Sequence, residues 1–229
     1  RYDVRYEDFA NFAVNAHRNA AGNPLALFPN PVEVDEVLNS RLISPPLRLY
    51  DCSPTSDGAA AVIVCRADRA HRFHHRPVRV LASAVAIDRF AVQDRPDPLA
   101  LEAGRLASAR AYRQAGMTPK DVDFFEVHDA FSIMACLQLE AGGFAERGEG
   151  WRLAAEGEIF REGRLPICTM GGLKARGHPI GASALYQAAE IVLQMRGEAG
   201  ANQLARAKVA MTHSIGGAGT TVLAHILAH

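Results

Sequence analysis

The sequence predicts an α/β protein in which a mixed sheet is flanked by layers of helices. Of its 229 residues, 48% are hydrophobic and 22% are charged, a composition typical of a packed globular domain. From residue 77 onward, short segments rich in apolar and β-branched residues alternate with longer segments of helical periodicity. Such alternation favours layered α/β architecture over an all-helical or all-β fold.

Composition and charge exclude several classes of function. Lysine plus arginine and aspartate plus glutamate both number 25, so the basic excess of a nucleic-acid-binding protein is missing. No apolar run approaches the roughly 18 residues of a membrane span, and the first residues do not resemble a signal peptide. The four cysteines lie far apart without a Cys-x-x-Cys pair, which indicates neither a metal site nor a disulfide framework and favours the reducing cytoplasm.

Residues 1–76 predict helices and loops followed by one strand. Helical periodicity covers Tyr6 to Asn19, and a second, short helix is expected from Val34 to Ser40. The continuous apolar run from Asp57 to Val64 predicts a strand buried on both faces. The polar, arginine-rich stretch from Arg66 to Arg76 predicts an exposed connection and the boundary between two domains, 1–76 and 77–229.

Residues 77–229 predict a complete α/β unit. Strands are expected at Val78–Ala86, Val122–Val127, Leu165–Met170, Lys208–Thr212 and Thr221–Leu227. Helices are expected at Pro98–Ala115, Ala130–Ala141 and Ala182–Arg196.

One candidate site residue, His178, lies in a glycine-rich run from Gly171 to Gly181. Pro179 suits the first position of the helix that follows, which puts His178 at the positive end of that helix. There the helix dipole disfavours imidazolium and keeps the ring neutral. The run lacks the Lys-Ser/Thr of a phosphate loop, so binding of a nucleoside triphosphate is excluded. A helix cap with a glycine turn is the alternative interpretation.

A second candidate, His128, stands at the end of a predicted strand, immediately before a helix. Ligand sites of α/β sheets commonly lie at the carboxyl ends of strands. The alternative is a core histidine paired with Asp129.

The third candidate segment runs from Thr212 to Gly219, again after a predicted strand. His213 is a candidate acid–base group, and the backbone N–H groups of Gly216 and Gly217 are candidate anion ligands. A tight hairpin between the last two strands is the alternative explanation of these glycines.

Together the three segments resemble the carboxyl-terminal half of the thiolase superfamily, especially archaeal-type acetyl-CoA acetyltransferases and sterol-carrier-protein-type thiolases. The resemblance rests on His128-Asp129-Ala130-Phe131 and on Gly177-His178-Pro179. Earlier segments fit as well: Asn15–Asn19 with Asn23-Pro24, Val37–Arg41, Leu49–Pro54 and Asp57–Ala60.

The resemblance implies a five-layer αβαβα fold built from two similar halves. Residues 1–76 are then the loop or lid region and the last strand of the first half, and residues 77–229 form the whole second domain. A homodimer or higher oligomer is expected on the same ground.

The resemblance also implies an acyl-CoA C-acyltransferase, which condenses acetyl-CoA or cleaves 3-ketoacyl-CoA. Coenzyme A is then a substrate, and no further cofactor or metal is implied. By position, His178 and His128 form an oxyanion hole, and backbone N–H groups around Gly216 form a second one.

Two departures from the family pattern qualify this expectation. The nucleophilic cysteine of such enzymes belongs to a region before Arg1 and has to come from outside this chain, for example from a polypeptide carrying the first half. The proton-shuttling cysteine is also missing, since the matching positions are Ala130 and either His213 or Ser214. His213 is the candidate replacement. The alternatives are a retro-aldolase or a scaffold that binds CoA esters without acyl transfer, with a small zinc-ribbon and OB-fold subunit as a further partner.

Overall fold

A computed structural model, which describes residues 2–229, contains a four-stranded mixed sheet in the order β3-β6-β5-β4. Strand β3 (Arg79–Ile87) pairs antiparallel with β6 (Thr221–Ala228), and β6 pairs antiparallel with β5 (Val209–Gly216). The short β4 (Phe124–Glu126) lies at the edge and runs parallel to β5. The predicted α/β fold with a mixed sheet is therefore confirmed.

Residues 2–229 contain six α-helices, and a small hairpin precedes the sheet. The helices are α1 (Ala10–Ala20), α2 (Val34–Asn39), α3 (Glu102–Ala115), α4 (Ser132–Ala141), α5 (Gly150–Ala155) and α6 (Ser183–Arg196). The hairpin consists of β1 (Leu42–Ser44) and β2 (Leu47–Arg48). Five of these helices correspond to predicted ones, whereas α5 and the hairpin were not predicted. Helices α3 and α4 begin four and two residues later than their patterns indicated.

The sheet separates two layers of helices. On one face, the fully buried alanines of α3, among them Ala103, Ala107 and Ala111, pack into the main core together with Ala82 and Ala84 of β3. Small side chains on both sides let helix and sheet approach closely. On the opposite face, Ile191 and Met195 of α6 pack against Phe124, Ala210 and Leu227.

The predicted strand from Asp57 to Val64 is wrong. Within residues 2–229 the segment has no regular secondary structure and pairs with no strand, and Ile63 is 88% exposed. An apolar run indicates a tendency to be buried, but a strand also needs a neighbour whose backbone groups complete its hydrogen bonds. In the chain described here no element covers the segment, so its apolar side chains face outward.

The predicted strand from Leu165 to Met170 is reduced to a single bridge, in which Ile167 opposes Phe125. Asparagine side chains bind several of its carbonyl groups instead. The amides of Asn15, Asn19 and Asn23 donate to the carbonyl oxygens of Ile167, Cys168 and Met170 over 3.0, 3.1 and 2.9 Å. Because these amides occupy the carbonyl groups that a neighbouring strand would use, the segment needs no strand partner.

The arginine-rich connection is exposed as expected and contains a short 3₁₀ turn, Ala67–Arg72. Its proposed role as a domain boundary stays a prediction. None of the helices between residues 2 and 229 is long and apolar enough to cross a membrane. Within the same residues, no three histidine, cysteine, aspartate or glutamate side chains are grouped to hold a metal ion.

Candidate active site

The structure brings His128 and His178 into contact. His128 lies in the turn that leaves β4 and enters α4, and His178 lies in the turn that enters α6. Their ring centroids are 5.2 Å apart, and the ring planes meet edge to face at 87°. Two histidines separated by 50 positions in the sequence therefore share one small site at the carboxyl edge of the sheet.

His128 is mostly buried, with 8% of its surface exposed. Burial lowers its pKa to about 4, and the nearby His178 and Arg176 act in the same direction. Its Nδ1 atom has no hydrogen-bond partner among residues 2–229. The imidazole is accordingly neutral at physiological pH. No hydrogen bond joins it to Asp129, so the alternative of a core pair formed by these two residues is not what the structure shows.

Asp129 instead points into the glycine turn below the site. Its Oδ1 accepts a 2.6 Å hydrogen bond from the backbone N–H of Leu173. Gly172 has a φ of +55°, and a Cβ there would come within 2.6 Å of both carboxylate oxygens. Glycine is thus required at this position both by its backbone conformation and by the close approach of Asp129.

His178 is half-buried and held by the first residue of α6. Ser183 Oγ lies 2.7 Å from His178 Nδ1, and Ser183 is almost fully buried. A 3₁₀ turn, Ile180–Ala182, separates Pro179 from α6, so Pro179 is not the first residue of the helix, which begins one residue after the predicted Ala182. Burial lowers the pKa of His178, Asp129 opposes this shift, and the neutral ring again prevails.

The segment from Cys52 to Ser56 links the two histidine-bearing turns. The N–H of Ser53 donates to the carbonyl oxygen of Ala130 over 2.8 Å, and the N–H of Ser56 donates to that of His178 over 3.3 Å. A segment from the loop region thereby closes one side of the site.

A network of buried charges lies beside the pair. Arg176 forms a 2.6 Å ion pair with Glu190, and both side chains are about 95% buried. Glu126 accepts hydrogen bonds from the N–H and the hydroxyl group of Thr169, over 2.9 and 2.6 Å. Burial, followed by the proximity of Glu190, raises the pKa of Glu126 to about 8. Near neutral pH, Glu126 is therefore mainly protonated, and Glu190 is the carboxylate that pairs with Arg176.

His213 is not brought to the pair. Its side chain is fully buried, its Nε2 lies 2.8 Å from the hydroxyl group of Ser108 in α3, and its ring packs edge-on against Phe125. Burial lowers its pKa to about 3. Side chains alternate along β5, so His213 points toward α3, whereas Ser214 points to the α6 face. The enclosed position of the imidazole does not favour proton shuttling, and this role of His213 stays a prediction.

Gly216 and Gly217 end β5 and begin the turn toward β6, where Gly216 opposes Thr221. Gly217 has a φ of +60°, as a tight turn requires. The hairpin alternative is therefore what the structure shows. Both glycines are exposed, and their role as anion ligands stays a prediction.

Sequence reasoning missed Ser183, Gln138 and the Glu126–Arg176–Glu190 group. Ser183 left a signal, since serine is favoured where a helix begins and this one lies five residues after His178. The others left none. A sequence does not show which buried charges meet in space, nor that the glutamine at position 138 of an apolar helix bonds to another turn.

Three of the four cysteines lack the properties of an activated nucleophile. Burial raises the pKa of Cys52, Cys136 and Cys168, which favours the neutral thiol over the reactive thiolate. Cys65 is exposed on the uncovered apolar segment.

The fold and the site define an α/β protein with two neutral imidazoles in contact at the carboxyl edge of a mixed sheet. Comparison with known proteins identifies its family. Residues 84–229 match the family described as thiolase C-terminal domain-like, and the chain belongs to this family.

Curated relatives agree with this assignment. The chain is 48% identical, over 225 residues, to an acetyl-CoA acetyltransferase of Methanothermobacter thermautotrophicus. It is 35% identical, over 228 residues, to sterol carrier protein 2 of Oryctolagus cuniculus. These alignments cover 98% and 97% of this chain but only 59% and 42% of the two relatives.

Among solved structures, the chain is similar to one titled Ltp2-ChsH2(DUF35) aldolase. The TM-score is 0.88 at 28% sequence identity, and the match covers 99% of this chain and 59% of the other. The thiolase-like fold expected from the sequence is therefore confirmed.

Proposed function

We propose that the chain is the carboxyl-terminal part of a thiolase-type acyl-CoA C-acyltransferase, in which His128 and His178 together form an oxyanion hole. The observation that carries this proposal is the edge-to-face contact of the two neutral imidazoles at 5.2 Å. The reaction is the Claisen condensation of acetyl-CoA or, in reverse, the thiolysis of a 3-ketoacyl-CoA.

The reaction places negative charge on a substrate oxygen. Condensation first creates an enolate and then a tetrahedral oxyanion, and thiolysis passes through the same species. Preorganised N–H donors that face such charge typically contribute several kcal/mol each. When the Ser183 hydroxyl donates to Nδ1 of His178, the ring proton has to be on Nε2, which becomes a donor for the substrate oxygen.

This chemistry requires a cysteine nucleophile that residues 2–229 do not provide. Three features support a contribution from a first thiolase half: the partial coverage of the relatives, the uncovered segment around Ile63, and an apolar sheet face. On that face, Val85 and Leu223 oppose each other in β3 and β6 and are 48% and 38% exposed.

Further parts of the proposal rest on the family resemblance and, for the location, on cysteine usage. Coenzyme A serves as substrate, no other cofactor takes part, and the chain acts in the cytoplasm as a homodimer or higher oligomer.

A second function, retro-aldol cleavage of a CoA ester in complex with a DUF35-type partner, is favoured by a different observation. The solved structure with the TM-score of 0.88 is titled as an aldolase with a DUF35 chain. In addition, the positions that match the proton-shuttling cysteine hold Ala130 and either Ser214 or the buried His213. A CoA-ester-binding scaffold without acyl transfer is the remaining candidate.

Trapping with radiolabelled acetyl-CoA separates these functions. The intact protein, assembled with the polypeptide that carries the cysteine, is incubated with the label and denatured. A label that resists denaturation but is released by hydroxylamine supports a thioester and acyl transfer. Reversible binding alone contradicts the transferase and favours the scaffold, and aldehyde or ketone release from a 3-hydroxyacyl-CoA favours the aldolase.

A further inference from the structure

The side chain of Gln138 holds both backbone polar groups of His128. The N–H of His128 donates to Gln138 Oε1 over 2.8 Å, and Gln138 Nε2 donates to the carbonyl oxygen of His128 over 2.9 Å. Nε2 also donates to the carbonyl oxygen of Met134, one turn earlier in α4. The amide thus uses three of its four hydrogen-bonding positions, and Gln138 is fully buried.

We infer that Gln138 is a positioning residue that fixes His128 against His178 through the backbone of His128. This inference deepens the proposed function and depends on it, since it assigns a new residue to the same oxyanion site.

His128 needs the hydrogen bonds from Gln138 because β4 is short. The ladder between β4 and β5 ends at Glu126, which opposes Thr212. The chain then leaves the sheet while still in the protein interior, so His128 has no strand partner for its N–H and C=O. A buried backbone group left unpaired destabilises the fold. Gln138 replaces the missing strand at this point.

The hydrogen bonds from Gln138 matter for the orientation of the imidazole because its Nδ1 atom is not held by a hydrogen bond of its own in the described part of the chain. The direction of the Cα–Cβ bond therefore has to be set by the backbone, which Gln138 holds on both sides of that carbon. Helix α4 provides a rigid base, so the ring is aimed at His178 before any substrate binds.

Gln194 offers a matched control. It is also a glutamine with a fully buried amide, and it holds a loop in the same way. Its Oε1 accepts from the N–H of Leu204 over 2.9 Å, and its Nε2 donates to the carbonyl oxygen of Asn202 over 2.8 Å. It lies near the end of α6 remote from His178, so its loss removes similar hydrogen bonds without touching the histidine pair.

The test compares Gln138→Leu with Gln194→Leu in the intact assembly. We expect Gln138→Leu to lower kcat for thiolysis by about ten- to a hundredfold, as a small misplacement of a catalytic group does, with KM changed less than twofold. Its His128 resonances in NMR spectra of ¹³C-histidine-labelled protein should shift. Gln194→Leu should lower Tm comparably while leaving kcat and these resonances unchanged. Equal effects of the two substitutions on kcat, or an unshifted His128 signal in Gln138→Leu, would overturn the inference.

Gln138→Glu provides a second readout if Gln138→Leu does not fold. An ionised carboxylate still accepts from the His128 N–H but repels its carbonyl oxygen, whereas the protonated acid donates to it. Activity relative to wild type should therefore rise as pH falls, and a constant ratio would contradict the inference. The NMR shift does not require turnover, so it separates the two claims. If wild type shows no acyl transfer but the His128 signal still shifts in Gln138→Leu, the proposed function is rejected and the role of Gln138 is kept.

Discussion

The imidazoles of His128 and His178 meet edge to face, with 5.2 Å between their centroids and an angle of 87° between their planes. Two protonated rings at this distance would repel each other in a mostly buried site. The pKa values of both are accordingly lowered, chiefly by burial. The contact produces two neutral N–H donors in a fixed orientation, which suits the stabilisation of negative charge more than proton storage.

Ser183→Ala should reduce turnover by removing the partner of His178 Nδ1. Without the 2.7 Å hydrogen bond, the proton of the neutral ring distributes between both nitrogens, and only one tautomer donates from Nε2. We expect kcat for thiolysis to fall by about tenfold, of the order of one hydrogen bond to a charged intermediate. Steady-state kinetics in the intact assembly measure this effect.

Ser183→Thr is the matched control, because threonine keeps the hydroxyl group. It should retain most of the activity, and its pH–rate profile should follow that of wild type. Equal losses in the alanine and threonine variants would show that the hydroxyl group has no role.

Glu126→Gln should change how stability depends on pH. Glu126 has a pKa of about 8 in the folded protein and about 4.5 when unfolded, so the folded state binds the proton more tightly. Its stabilising contribution is complete below the unfolded value and is lost as pH rises through 8. Wild type should lose roughly 4 kcal/mol of unfolding free energy between pH 5 and pH 9 through this group.

Urea unfolding of wild type and Glu126→Gln at the two pH values tests this expectation. The uncharged glutamine should remove most of that difference, whereas Glu162→Gln, on an exposed residue, should preserve it. A pH dependence that is identical in wild type and Glu126→Gln would contradict the protonated state of Glu126.

His213→Gln should affect stability more than activity. His213 is enclosed by Ser108 and Phe125, so its replacement disturbs a buried hydrogen bond at a cost of about 1–3 kcal/mol. We expect the turnover of the folded variant to stay within about threefold of wild type, since general acid–base groups typically contribute a factor of a hundred or more. A loss of that size with unchanged Tm would support His213 as a proton shuttle.

Sequence reasoning located the histidine pair for sound physical reasons. A strand end identified His128, and a glycine turn with a proline before a helix identified His178. It could not show the orientation of His213, because a one-residue change in strand register moves a side chain to the other face. The observed strand extends from Val209 to Gly216, and its register, set by β6, turns His213 inward.

The other differences have the same origin, since they depend on neighbours rather than on local pattern. The run around Ile63 has strand composition but no pairing partner in the described chain. The carbonyl groups near Cys168 are bound by asparagines almost 150 positions away. The amide of Gln138 acts on a turn ten residues earlier, and nothing in its own segment indicates this contact.

The central claim, that His128 and His178 act as one oxyanion hole, is tested most directly by a double-mutant cycle. The kcat/KM for thiolysis of a 3-ketoacyl-CoA is measured for wild type, His128→Ala, His178→Ala and the double variant, all in the intact assembly. His178→Ala alone should lose about two orders of magnitude. If both rings bind the same oxygen, the kcat/KM of the double variant should be only slightly below that of the less active single variant. Losses that multiply in the double variant, or a His178→Ala protein with wild-type turnover, would contradict the claim.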